Sequence, residues 1–585
     1  MPLHQYDYIF AFGLIFSCLD AFNIGANDVA NSFATSVASK SLTMPQAVLA
    51  ASVMEFSGAV AVGARTASTI KNGIISASAF QNDAGVQLLA FTCAIVASAS
   101  WLMVCTRYGW PVSTTYSLVS ALAGVGVALG GVDSVKWGWE GGKGLATIFA
   151  GFGIAPAMSA GFGATLYLIA KYGVLVRKNP VPWALASGPF FFFLAAAVMT
   201  MSVIYKGSPS LGLDELAPGP MAGAIVGTAS VVALLAFLFW MPFVHARVVK
   251  KDYTLRWFHI FLGPALWFRQ PPADAGTVAA PTAVSDYRVR KDDEEPTQAH
   301  GQASEVNSHD AESGDASREE KIYEDPTTVP NQAAHPSILA KEFEKVDPHP
   351  IEGAWVEPKN LWIIARYKTI PFIKGIFSNG IFYDIHTAQA GKVGTKDHER
   401  MRKVYASAKQ FPNETEATYS FVQVMTACVN SFAHGANDVS NAVGPFAVIY
   451  HTWRYSEIAG KSAEVPVWQL AVMAGFIVLG LATYGYNIMK VLGNRITLHS
   501  PSRGFAMELG ASITVILASQ YGLPVSTTMC ITGSTIGVGL CNGDLRSINW
   551  RAVGWIFLGW VITVPVVGTI AGCLLAIIIN APRLA

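Results

Sequence analysis

Two aspartates stand where an acidic side chain is costly. Asp28 and Asp438 lie inside long apolar runs, and an acidic residue at membrane depth costs about 2.5 to 3.5 kcal/mol on insertion scales. Each sits in the string Gly-Ala-Asn-Asp-Val-x-Asn, with Asn27 and Asn31 flanking the first and Asn437 and Asn441 the second; Asn23 precedes the first by one helical turn. Carboxylate and amide oxygens are hard ligands of the kind that suits an alkali cation. Gly25 and Gly435 are expected to let the helix break, so that main-chain carbonyls add to the ligand set. In the plainer reading, these carboxylates only cap broken helices or bond to neighbouring ones.

A second duplicated string is Pro-Val-Ser-Thr-Thr, at Ser113, Thr114 and Thr115 and again at Ser526, Thr527 and Thr528. Proline is favoured in the first turn of a helix, where the following hydroxyls stand beside free backbone amides. A helix start inside a membrane is an anion site, because its dipole and unpaired N–H groups favour negative charge. The same string could be only a tight turn between half-helices. Neither motif holds a Lys or Arg, so a bound oxyanion would have no permanent positive partner and would be repelled by the two aspartates. Cations bound between aspartate and oxyanion remove that conflict, which makes ion-coupled symport a physical inference.

Glu55 and Glu508 also lie in apolar runs, at places that do not match between the two copies. They could bind a third cation, relay a proton, or pair with Arg65 or Arg503. Asp20 is replaced by Asn430 and Ile24 by His434, so the two halves differ chemically; His434 reads as a hydrogen-bonded structural residue rather than a proton carrier.

The spacing of the motifs reveals a duplication. Residues 18–31 match 428–441, and Tyr108–Thr115 match Tyr521–Thr528, in a register that holds without a gap to Trp137 and Trp550. Corresponding Gly- and Pro-interrupted apolar segments are the best sequence pointer to a transporter site. Basic residues beside spans stay cytoplasmic as a rule. Lys171, Arg177 and Lys178, and then Arg247, Lys250, Lys251 and Arg256, therefore belong inside. The first copy then starts outside and the second follows a cytoplasmic segment, which makes the repeat inverted.

The elements that carry these motifs must be helices in lipid. Of 585 residues, 52% are apolar and only 14% charged, against about a quarter charged in soluble proteins. Runs of roughly 20 apolar residues recur, about a dozen spans or half-spans, and their continuous hydrophobicity is wrong for a barrel. The expected fold is an all-α polytopic membrane protein of two inverted repeats, 1–246 and 416–585. Between them, 247–415 forms a large cytoplasmic loop, disordered at about 270–355. Its aromatic and basic edges, Leu255–Phe268 and Leu361–Phe377, either lie on the membrane surface or pack under the bundle. Asn413 opens a glycosylation sequon, expected to be unmodified on the cytoplasmic side.

Seven cysteines lie in or beside apolar segments without metal-ligand spacing, so a disulfide framework is not expected. A net charge of +1 with scattered basic residues gives no nucleic-acid partner. No nucleophile–base pair or P-loop is present, so an enzyme is not expected. An anion channel, or a sensor signalling through the loop, are the remaining competitors.

At GANDVAN, GANDVSN and the paired PVSTT, the chain resembles the inorganic phosphate transporter family, sodium- or proton-coupled carriers that include the type III sodium–phosphate cotransporters. Strings such as LHQYDYIF, DAFNIGANDVANSF, SFAHGANDV, TYGYNI and SPSRGF are most similar to those of its fungal, high-affinity, sodium-coupled members. The resemblance implies about twelve transmembrane helices with two re-entrant hairpins, frequent dimerisation, a plasma-membrane location, and import of inorganic phosphate with Na+ as the co-transported ion and no cofactor. It carries function over to Asp28, Asp438, Glu55, Glu508, Ser113 and Ser526. The expected phosphate ligands are Ser113, Thr114, Thr115, Ser526, Thr527, Thr528, Asn27 and Asn437. The expected sodium ligands are Asp28, Asp438, Asn23, Asn31, Asn441, Glu55 and Glu508. Proton coupling is the runner-up, since carboxylates bind either ion.

Overall fold

Four glycines set how closely the central helices approach. In the computed structural model a Cβ on Gly25 would lie 1.8 Å from the Ile477 carbonyl oxygen, and one on Gly480 would lie 1.8 Å from that of Phe22. The second set repeats the pattern: a Cβ on Gly58 would meet the Phe432 oxygen at 2.2 Å, and one on Gly435 the Glu55 oxygen at 2.4 Å. Helices in lipid associate through such small-residue contacts, because hydrocarbon offers no hydrophobic drive for their association. Each pair is reciprocal. A motif helix of one copy is held backbone to backbone against a helix of the other.

The structure describes residues 3–139, 144–206, 217–277, 282–287, 357–371, 375, 395–460, 465–492, 495–520 and 525–581. The stretch expected to be disordered lies outside them from 288 to 355, as do the second motif's Tyr521–Pro524. In chain order, α1 (Asp7–Ile24) passes through a π-helical turn (Gly25–Val29) into α2 (Ala30–Ala38). There follow α3 (Met44–Gly73), α4 (Ala84–Tyr108), α5 (Thr114–Gly130), α6 (Leu145–Ala170), α7 (Pro180–Lys206) and α8 (Pro218–Leu235). After the central region come α9 (Lys396–Ala406), α10 (Asn413–Tyr455), α11 (Val467–Tyr484), α12 (Pro501–Gln520), α13 (Thr527–Leu540) and α14 (Trp550–Asn580). No strand occurs among the described residues.

Among those residues, eight helical stretches are long and apolar enough to cross a membrane. Helix α10, with 43 residues, is not one of them, because its buried face carries Asn430, Ser431, His434, Asn437, Asp438, Ser440 and Asn441. Its hydropathy is lowered by the residues that could do chemistry. Helices α5 and α13 have 17 and 14 residues, about 25 and 21 Å at 1.5 Å per residue, short of the roughly 30 Å hydrocarbon core.

Contacts within and between the copies follow one pattern. Helix α1 packs along α4 and α11 while α10 packs along α12 and α3; α5 lies along α14, and α13 along α6.

Residues 1–289 and 377–585 make one compact unit and 290–376 a second. In the first, Trp257–Trp267 forms a 3-10 segment that buries Leu266 and leaves Trp257, Phe261 and Phe268 at 74%, 74% and 87% exposed, an aromatic face suited to a lipid interface. In the second, a short helix, Pro358–Ile363, continues as π-helix to Thr369. The Asn413 amide donates to Asp286 Oδ1 at 3.0 Å and its Oδ1 accepts from Tyr287 N at 3.1 Å, bonds that a glycan on this side chain would break.

Candidate functional site

The polypeptide turns at Gly109, whose φ of 68° ends α4 in the left-handed region, a conformation glycine adopts without a Cβ penalty. Helix α5 then starts under a cap: the Ser113 hydroxyl accepts from Tyr116 N, and Ser526 does the same for Met529 N at the start of α13. The sequence expectation needs correction here. Pro111 precedes the cap instead of occupying the first turn, and each serine oxygen accepts a capping bond while its O–H remains a donor. The threonines that follow add further hydroxyls. Ser113→Ala is expected to destabilise the protein by about 1 kcal/mol, a fall of a few degrees in thermal unfolding; an unchanged melting temperature would show that the cap contributes nothing.

Hydroxyls and carboxylates meet across the two copies. Asp28 accepts from Thr114 Oγ1 through Oδ2 and from Thr528 Oγ1 through Oδ1, both at 2.6 Å. Asp438 Oδ2 accepts from Thr527 Oγ1 at 2.5 Å and Oδ1 from Asn437 Nδ2 at 2.8 Å. Behind the threonines, Asn31 donates to Thr528 at 2.7 Å, and Asn441 donates to Thr114 and Thr115 at 3.1 Å each. A continuous chain therefore runs Asn31, Thr528, Asp28, Thr114, Asn441, and three of its four links join one half of the sequence to the other. All these residues are buried.

Asn27 and Asn437 do a different job. Asn27 donates to Trp110 O at 3.0 Å and accepts from Val112 N at 3.2 Å, while Asn437 donates to Val525 O at 3.0 Å. They hold the extended segments that lead into α5 and α13. The Asn31 and Asn437 Oδ1 atoms remain buried without a hydrogen-bond partner, and so do Asn23 Oδ1 and Asp20 Oδ2 beside α4, where Asn23 donates to Ala99 O and Asp20 accepts from Ser98. Buried oxygens of this kind demand a partner.

The glycines were expected to break the motif helices, and they do not. The first copy only widens into a π turn, and α10 runs through Gly435 unbroken. Their role is the close approach described above. A π turn rotates the residues that follow it and recurs at functional sites, which places Asp28 at the wide turn while Asp438 sits on a regular helix.

The acids split into two groups. Glu55 accepts from Ser431 at 2.7 Å and lies 2.8 Å from His434 Nδ1. The other ring nitrogen stands 3.0 Å from Asp438 Oδ2 without the alignment of a hydrogen bond. One ligating atom each from Asp28, His434 and Asp438 falls within 4.8 Å of the others. Imidazole suits transition metals better than alkali ions, so His434 links the acids, and oxygens remain the alkali-type donors. Glu508 stands apart, accepting from Thr35 at 2.6 Å, Ser36 at 2.5 Å, Gln423 at 3.1 Å and Thr426 at 2.7 Å. The suggested pairing with Arg503 does not occur; that guanidinium bonds to Lys409 O, Asn542 and Ser500.

The partners of Glu508, and the Ser431 hydroxyl on Glu55, were not singled out from sequence. Thr35 and Ser36 one helix further along the first motif, and Gln423 and Thr426 ahead of the second, carry no pattern of their own; only their burial beside an acid marks them.

The model of the phosphate transporter family matches residues 24–571. The chain is 43% identical over its whole length to the phosphate-repressible phosphate permease pho-4 of Neurospora crassa, covering 99% of that protein. It is 26% identical to sodium-dependent phosphate transporter 1 of Mus musculus, over 98% of this chain and 96% of the relative. A solved structure titled the sodium-dependent phosphate transporter superposes with a TM-score of 0.62 at 22% identity, covering 98% of this chain and all of that one. With eight candidate spans and a family match across both motif pairs, this chain is a multi-pass membrane protein of the phosphate transporter family.

Proposed function

We propose that the protein is a secondary active symporter that imports inorganic phosphate together with sodium ions. Phosphate is held between the opposed starts of α5 and α13 by the hydroxyls and free amides at Thr114, Thr115, Thr527 and Thr528. Sodium ions stand between phosphate and Asp28 or Asp438, with Asn31 and Asn437 oxygens in reach. The observation that carries this reading is the chain of contacts by which Asp28 accepts hydroxyls from both copies at 2.6 Å, beside Asp438 and with no Lys or Arg paired to either acid among the described residues. Two buried carboxylates so placed cannot receive an oxyanion unless cations accompany it. Glu508, ringed by hydroxyls, is suited to a further cation, and Asn23 to a peripheral one.

The pairing of α1 with α4 and α11, and of α10 with α12 and α3, supports two inverted repeats of about twelve crossing or half-crossing helices, with α4–α5 and α12–α13 as re-entrant hairpins. In this reading the region 247–415 faces the cytoplasm of a plasma-membrane protein, and a homodimer is the assembly. The names of the relatives, one of them sodium-dependent, favour sodium over protons. Proteoliposomes with sodium and proton gradients imposed separately test the choice. Accumulation of radiolabelled phosphate is expected with the sodium gradient alone; accumulation with the proton gradient alone would replace the coupling ion, and downhill flux indifferent to both would make the protein a channel.

A further inference from the structure

The turn at Gly109, Trp110 and Pro111 forms one wall of a cavity of about 300 Å³ that the site described above does not use. Its other walls come from α9, the stretch after α11, and the first turns of α14, and Arg400, Arg495 and Arg551 are among the residues that line it. Arg400 is paired with Asp397 at 2.8 Å. Among the described residues no carboxylate pairs with Arg495 or Arg551. Three guanidinium groups against one carboxylate leave a net positive pocket, and guanidinium is the side chain whose geometry best matches phosphate oxygens.

The rest of the lining is mostly apolar. From Arg551 the cavity wall continues along α14 through Trp555, Leu558, Gly559 and Ile562, at steps of four, seven, eight and eleven residues, which keeps them on one face of a helix. Trp555 and Leu558 are 61% and 43% exposed on a 31-residue helix apolar enough to cross the membrane. Gly559 leaves a groove in this stripe; a Cβ there would make only ordinary contact, 3.7 Å from Val112. Tryptophan at the charged end of such a stripe marks the headgroup level of a bilayer. A free anion would use only the arginines, whereas a molecule with an anionic head and an acyl tail would use the whole stripe.

We propose that this cavity is a binding site for an anionic glycerophospholipid, its phosphate on Arg495 and Arg551 and an acyl chain along Trp555, Gly559 and Ile562. The lipid would then touch the turn that Asn27 holds at Trp110 O, which gives the membrane a contact with the segment leading into α5.

Native mass spectrometry of the detergent-solubilised full chain, titrated with phosphatidylinositol or with phosphatidylcholine, tests this. Phosphatidylinositol adducts are expected to survive at lower lipid concentration than phosphatidylcholine adducts, and the double variant Arg495→Ala/Arg551→Ala is expected to weaken them by at least about tenfold, as loss of charge-assisted bonds requires. Gly559→Leu, which fills the groove and leaves both arginines in place, is expected to weaken them too and provides the reading if the double variant fails to fold. Equal retention of both lipids, or undiminished phosphatidylinositol adducts in folded variants, would overturn the proposal. Displacement of the lipid by millimolar inorganic phosphate would also overturn it, by making the pocket a free-phosphate site.

Discussion

Asp28→Asn is expected to abolish concentrative phosphate uptake, a loss of at least about 100-fold in initial rate, while the protein still elutes as a folded species. The carboxylate accepts two hydroxyls, one from each copy, at 2.6 Å. An amide offers one acceptor oxygen and an NH2 group that only donates, so one threonine would face an N–H in place of an acceptor. The substitution also removes the charge that a cation would compensate, and breaking one side of a buried charge pair costs about 3 to 5 kcal/mol, which is two or more powers of ten. The check is radiolabelled uptake into proteoliposomes beside wild type, with reconstituted protein quantified. Uptake within a few-fold of wild type would mean that the carboxylate is structural.

The second large effect is on folding. Gly480→Ala places a methyl 1.8 Å from the Phe22 carbonyl oxygen, and backbone, unlike the end of a flexible side chain, has no rotamer to move to. Helices α1 and α11 would have to separate, carrying the turn that holds Asp28 away from its threonines. Overpacking typically costs 1 to 3 kcal/mol where side chains yield, and more is expected here. Gly475→Ala is the internal control, since a Cβ at that position of the same helix meets nothing within 4 Å. Fluorescence-detected size exclusion is expected to show Gly475→Ala eluting like wild type and Gly480→Ala lost to aggregate; equal profiles for both would show that the close approach is not needed.

How far the sequence could be read depended on what each residue contacts. The aspartates and threonines were legible because they are polar, duplicated and set in apolar runs, where each needs a partner. The serines of the same motifs were legible only in part: a hydroxyl just ahead of a helix can accept a capping bond and still donate its proton, and the φ and ψ of Ser113 and Ser526 reveal the cap. Gly25 and Gly435 were misjudged for a related reason. Glycine permits both a broken helix and a close crossing, and the choice rests with Gly480 and Gly58, hundreds of residues away in the chain. The arrangement around Glu508 was illegible because Thr35 and Ser36 come from one helix and Gln423 and Thr426 from another, and they repeat nowhere.

One measurement addresses the shared ion and phosphate site most directly: equilibrium binding of radiolabelled phosphate to the purified protein as sodium replaces choline at constant ionic strength. Binding is expected to be negligible in choline, to rise more steeply than first order in sodium, and to be lost in Asp28→Asn. Phosphate bound with the same affinity in sodium-free buffer, by wild type and variant alike, would contradict a site in which cations join Asp28 and Asp438 to the anion.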